Sequence, residues 1–165
     1  MPDSPDLIAE RMQVEGRKTL EFFRALTPEQ WESTIYTEGS VWSLRDVLAH
    51  FVSAESGIQR LVENILSGGT GSPEDFDLNA YNERKVAGLK GTSHEALLAQ
   101  FASARERSVA SVRSFSAADL AKVGRHPWLG MAQVADILKM MYRHNQIHQR
   151  EIRRILNPGG QNEDG

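Results

Sequence analysis

The sequence contains no cysteine. That excludes a disulfide framework, a thiolate nucleophile supplied by the chain itself and a zinc site built on sulfur. Any metal has to be held by His, Asp, Glu or other oxygen and nitrogen ligands. No run of about 18 apolar residues occurs, so no membrane span is expected. The opening residues, Met1 to Leu7, lack the basic and apolar regions of a signal peptide, and the expected location is the cytoplasm. A basic excess is missing too. Nineteen Lys and Arg stand against 22 Asp and Glu, a formal charge of −3. Proteins that bind nucleic acid or acidic membranes usually carry positive charge to neutralise phosphates, so neither partner is expected. Alternating β segments, sequence repeats and low-complexity tracts are also lacking.

What is present is an ordinary globular composition in 165 residues, 40% hydrophobic and 25% charged. That length suits one domain with a sizeable core. We expect a single domain over residues 1–156 and a flexible tail over 157–165.

Helix signals dominate. Ser4 and Pro5 form an N-cap and N1 pair, and Leu7, Ile8, Met12, Leu20, Phe23 and Leu26 recur at helical spacing, so a helix is expected over 4–26. Thr27 with Gln30 marks a short turn around Trp31, and 33–42 reads as a connecting loop. Ser43 with Asp46 opens a long helix to about residue 67, with Val47, Leu48, Phe51, Ile58, Leu61, Val62 and Ile65 inward. The turn-rich stretch 68–80 is either a crossover or a loop bordering a pocket. A short helix is expected over 78–88. A third long helix follows the Thr92–Ser93 cap and runs to about Phe115, and Ser116 caps one further turn. Residues 124–130, broken by Pro127, read as a connector. The last helix covers 131–156, with Val134, Ile137, Leu138, Met141, Ile152 and Ile155 as its apolar stripe. Trp31, Trp42 and Trp128 are expected to pack on the helices. Four long amphipathic helices predict an all-α four-helix bundle, with a long connection between the second and third.

The chemistry concentrates in histidines. His144 and His148 are four apart, so they project side by side on the last helix. Both fall within its apolar stripe. Two imidazoles facing a core are costly unless their nitrogens are satisfied. A divalent metal would do this, and so would a hydrogen-bonded pair of core histidines; the spacing leaves both readings open. His50, at the edge of the second long helix's stripe, is the natural third ligand. Three nitrogen ligands with an open position describe a catalytic site rather than a closed structural one. Asn145 stands where the zincin motif needs Glu, so a metalloprotease is not expected. Glu55 also faces inward and is a candidate general base, ligand or support for a ligand, or else a paired carboxylate at the rim. Asn82, beside Tyr81, is a candidate pocket residue. His94 and His126 read as surface groups, each able to line an opening. Lys139, Arg143, Arg150, Arg153 and Arg154 make the last helix basic, which reads as a solvated face.

On these residues the chain resembles the DinB-like superfamily of bacterial four-helix-bundle proteins. The resemblance is carried by W-S-L-R-D-V-L-A-H at 42–50, Glu55, Y-N at 81–82 and H-N-Q-I-H-Q-R-E-I at 144–152, in order and over nearly the whole chain. It extends to the subset containing the metal-binding domain of mycothiol-dependent maleylpyruvate isomerase and a group of self-protection proteins acting on reactive metabolites. The resemblance implies a divalent metal, zinc or nickel, on His50, His144 and His148. The isomerase branch has Glu at the position of His144, so this chain looks more like a three-histidine branch. The resemblance also implies use of a low-molecular-weight thiol, and a homodimer is common in the family.

Three functions follow as expectations. One is a metal-dependent thiol S-transferase or isomerase acting on a small-molecule substrate. The second is a metal-dependent hydrolase that needs no thiol, with Glu55 as base. The third is a non-enzymatic bundle that binds a small molecule or a partner, its histidines structural.

Overall fold

The structure is a computed structural model that describes residues 2–37 and 40–159. Four long helices form a bundle: α1 (Pro5–Arg24), α3 (Leu44–Leu66), α5 (His94–Arg113) and α7 (Val134–Leu156). Short helices α2 (Pro28–Trp31), α4 (Leu78–Gly88) and α6 (Ala117–Ala121) lie between them. The residues expected to start helices do so through their side chains. Ser4 accepts from Leu7 N and Ser93 from Ala96 N, and complete capping boxes form at Thr27–Gln30, Ser43–Asp46 and Ser116–Asp119. Of the final tail, residues 160–165 lie outside the described residues.

Two stretches expected to be loops are instead hairpins. β1 (Thr34–Thr37) pairs antiparallel with β2 (Ser40–Ser43), and β3 (Val123–His126) pairs with β4 (Gly130–Gln133). The last helix accordingly starts at Val134 rather than 131. Four-residue strands rich in Ser, Thr and Gly are too short to show alternation. The β3–β4 loop has three residues, and Gly130 follows it with φ +73, the left-handed position that such a loop requires.

The helices surround the core in the order α1, α5, α3, α7: α1 and α3 each pack against both α5 and α7. Helices α1 and α3 therefore sit diagonally, as do α5 and α7. The two connections that cross a diagonal carry the same parts, a capped short helix followed by a hairpin. Each hairpin closes the same way onto the next long helix, through Leu44 N to Ser33 O (3.1 Å) and Val134 N to Lys122 O (2.8 Å). The molecule thus contains a structural duplication that the sequence does not display.

Buried apolar residues fall into two clusters. One gathers Phe23, Trp31, Trp42, Leu48, Phe51, Phe101 and Ile152. The other gathers Ile8, Met12, Val62, Ile65, Val109, Ile137, Leu138 and Met141. Other buried side chains are polar: Glu15, Thr19, Glu55, Arg105, Ser108, Asn145 and Gln149. Ile155 and Trp128, expected to pack inward, are 43% and 63% exposed. Trp31 and Trp42 are buried as expected.

Candidate metal centre

Helix α3 carries His50 in its second turn, and α7 carries His144 and His148 on successive turns of one face. Contact between α3 and α7 brings the three rings together. His144 Nε2 lies 3.0 Å from His50 Nε2 and 3.0 Å from His148 Nε2. The ligand atoms of all three lie within 4.8 Å of one another. Phe51 packs against the cluster, its centroid 5.6 Å from the His144 ring and 5.7 Å from that of His148. Trp42 lies on His50, with ring centroids 5.0 Å apart.

Burial pushes the His50 ring down to about 3, with the charge of His148 acting in the same direction. Burial also holds His144 well below its ordinary value, and His50, His148 and His126 add to this. His148 is lowered by burial as well, against the opposing charge of Glu151, whose Oε2 is 3.5 Å from Nδ1. All three rings are therefore neutral near pH 7, the form in which imidazole binds metal.

The donor set fits a metal. One imidazole nitrogen presents either a single N–H or a single in-plane lone pair. His144 Nε2 faces two other Nε2 atoms at once, so hydrogen bonding satisfies at most one of the two contacts well. An electron-pair acceptor between the rings satisfies all three. For ligands about 2.0–2.1 Å from a tetrahedral zinc, neighbouring nitrogens stand roughly 3.3 Å apart, near the two 3.0 Å separations from His144 Nε2. His50 Nδ1 is buried and without a partner among the described residues.

Glu55 faces inward, 2% exposed, but is engaged elsewhere. Arg105 Nε donates to its Oε1 (2.7 Å) and Nη2 to its Oε2 (3.0 Å). Arg105 also donates to Asn145 Oδ1 (2.8 Å), Met12 O (2.9 Å) and Met141 O (3.3 Å), so one guanidinium ties α5 to α1, α3 and α7. The sequence reading missed Arg105, which looks like part of a charged run. Its spacing was informative, because Leu97, Phe101, Arg105, Ser108 and Val112 follow one helix face. Asn82 is half-buried on α4 and is not part of the histidine cluster.

His94 is half-buried, its ring stacked on Trp31 at 4.1 Å. His126, expected at the surface, is buried in β3. Two surface grooves, of about 400 and 410 Å³, lie elsewhere: one around Val62, Ser108 and Met141, the other around Glu15, Gln149 and Arg150. Neither is lined by His50, His144 or His148. Among the described residues no helix is long and apolar enough to cross a membrane.

Residues 6–152 match the DinB superfamily, and the chain belongs to it. Comparison with curated protein sequences returns no match. Solved structures share the fold. YfiT from Bacillus subtilis, described as a probable metal-dependent hydrolase with an unusual four-helix bundle topology, superposes with a TM-score of 0.74 at 18% identity, over 93% of this chain and 86% of that one. The colibactin self-resistance protein ClbS, solved in complex with double-stranded DNA, gives 0.73 at 15% identity, over 94% and 97%. A mutant of mycothiol-dependent maleylpyruvate isomerase gives 0.73 at 13% identity, over 92% of this chain and 61% of that one.

Proposed function

We propose that the chain is a metal-dependent enzyme of the low-molecular-weight-thiol S-transferase or isomerase type, with His50, His144 and His148 holding a divalent transition metal, zinc or nickel. The clustering of three neutral imidazoles, with His144 Nε2 3.0 Å from the Nε2 of each of the other two, carries this reading. A metal held there would act as a Lewis acid, lowering the pKa of a thiol or a water. The chain's residues keep the ligands neutral by burial and pack Phe51 and Trp42 against them, and three protein ligands would leave a metal position for a small molecule.

Glu55 favours a thiol over a water as the nucleophile. Both its oxygens accept from Arg105, so it is poorly placed to take a proton from water. A thiol, already acidic compared with water, has less need of a protein base. The chain has no cysteine of its own, so the sulfur would come from a cosubstrate. The hydrolase reading is the second, supported by YfiT, which carries that description on the same fold. The chain's charge of −3 argues against a nucleic-acid partner, although ClbS was solved with DNA.

The test is turnover of chlorodinitrobenzene by zinc- or nickel-loaded protein with each of several bacterial thiols. Conjugation that depends on both metal and thiol is expected. Ester hydrolysis that proceeds without thiol would replace this reading with the hydrolase. No turnover of either kind would favour a binding protein.

A further inference from the structure

The three rings of the cluster are not held alike. His50 is 5% exposed and packs on Trp42, and its Nδ1 has no partner among the described residues. The side chain of His148 is 16% exposed, so packing encloses its ring less fully. What His148 has instead is a carboxylate. Glu151 Oε2 stands 3.5 Å from its Nδ1, three residues further along α7. Residues three apart share a helix face, so the helix itself brings the two together. Among the described residues, Glu151 is the one side chain outside the cluster with a hydrogen bond or ion-pair contact to any of the three rings.

Arginine does not compete for this carboxylate. Arg150, Arg153 and Arg154 all lie within three residues of Glu151, yet among the described residues no arginine or lysine pairs with it. Glu55 is the contrast, with both oxygens taken by Arg105. Glu151 is left facing an imidazole.

A carboxylate oxygen accepts and cannot donate, so the nitrogen that faces it carries the ring's proton. With the proton on Nδ1, Nε2 is bare. Nε2 is the atom that meets the cluster, 3.0 Å from His144 Nε2. At 3.5 Å the contact to Glu151 is at the outer limit of a hydrogen bond. A metal on Nε2 draws electrons from the ring and makes Nδ1–H a stronger donor, and a half-exposed glutamate has the freedom to close the remaining gap.

The geometry points to Glu151 as a positioning residue: it accepts from His148 Nδ1–H, fixes the orientation of that ring and keeps Nε2 open to a metal. This rests on the metal reading of the three histidines and deepens it. His50 is set by packing in the bundle, whereas His148 depends on a carboxylate supplied by its own helix. The same carboxylate strengthens the ring as a ligand by raising its basicity.

Two variants separate positioning from charge. Glu151→Ala removes the acceptor, and Glu151→Gln keeps an acceptor oxygen at the same reach while removing the charge. Zinc is titrated into metal-free protein in competition with a chromophoric chelator. Glu151→Ala should bind zinc roughly 10–100-fold more weakly than wild type, the loss usual for a support of this kind. Glu151→Gln should stay within about fivefold of wild type, because a neutral acceptor retains part of the bond. Long-range proton–nitrogen NMR on the metal-free wild type should show His148 protonated on Nδ1, and circular dichroism should show all three proteins folded alike. Unchanged zinc affinity in Glu151→Ala, or a His148 proton on Nε2 in wild type, would overturn the positioning role. Equal weakening in both variants would also overturn it, since the lost charge alone would then account for the effect. Failure of wild type to take up zinc would instead overturn the metal reading, and this inference with it.

Discussion

Arg105 grips both carboxylate oxygens of Glu55 across the α3–α5 contact, at 2.7 and 3.0 Å, with both side chains at most 5% exposed. The pair closes a network that reaches the Asn145 side chain and the carbonyls of Met12 and Met141. Gly16 on α1 makes room for it, since a Cβ there would stand 2.9 Å from Arg105 Cγ. Removing one partner of such a pair strands a buried charge. Arg105→Met should therefore cost about 3–5 kcal/mol of stability in urea unfolding. Glu55→Leu combined with Arg105→Met should cost clearly less than the two single changes summed. Additive losses would mean that the pair is not coupled.

Glu55→Gln separates support of the helices from proton transfer. The proposed thiol chemistry assigns no proton to Glu55. The variant should lose stability yet keep metal content and, per folded molecule, activity within a few-fold of wild type. A drop in kcat of about a hundredfold or more, with metal retained, would make Glu55 the base and favour the hydrolase.

Much of the scaffold was legible in the sequence because it rests on local rules. Ser caps marked the starts of three of the four long helices, 3.6-residue periodicity located all four, and the four-residue spacing of His144 and His148 placed both on one face. The hairpins were not legible, because four-residue strands leave no periodic trace. Arg105 was hidden by its charged neighbours, although its position on the Leu97–Phe101–Val112 face gave a usable signal. His126 was expected at the surface but is buried, because its location depends on a hairpin that the sequence does not announce. The diagonal path of α1 to α3 and α5 to α7 is likewise a property of packing, which no single segment encodes.

Acid should destabilise the metal-free protein in a defined window. His50 is held down to about 3, chiefly by burial, while in the unfolded chain it titrates near its ordinary value of 6.5. Above about pH 6.5 the ring is neutral in both states and stability is insensitive to it. Below that, the unfolded chain binds a proton that the folded one refuses, and stability falls by about 1.4 kcal/mol per pH unit for such a ring. His144 is lowered by the same burial and acts in the same direction. The melting temperature should fall from pH 6.5 towards pH 4, and His50→Leu should flatten that slope. An identical slope in the variant would contradict the assignment.

Metal should stabilise the fold by linkage. Zinc at a hundred times its dissociation constant adds about 2.7 kcal/mol if it binds only the folded state, which raises Tm by roughly 5–10 °C in a chain of this size. His148→Ala should show no such rise in calorimetry. A rise of equal size in the variant would place the zinc elsewhere.

The most direct test of the central claim is elemental analysis of protein purified without a histidine tag, wild type beside His148→Ala. The account predicts about one transition metal per wild-type chain and essentially none in the variant, with both folded by circular dichroism. A metal-free wild type, even after loading with zinc and nickel, would contradict it and leave the three histidines as structural members of the bundle.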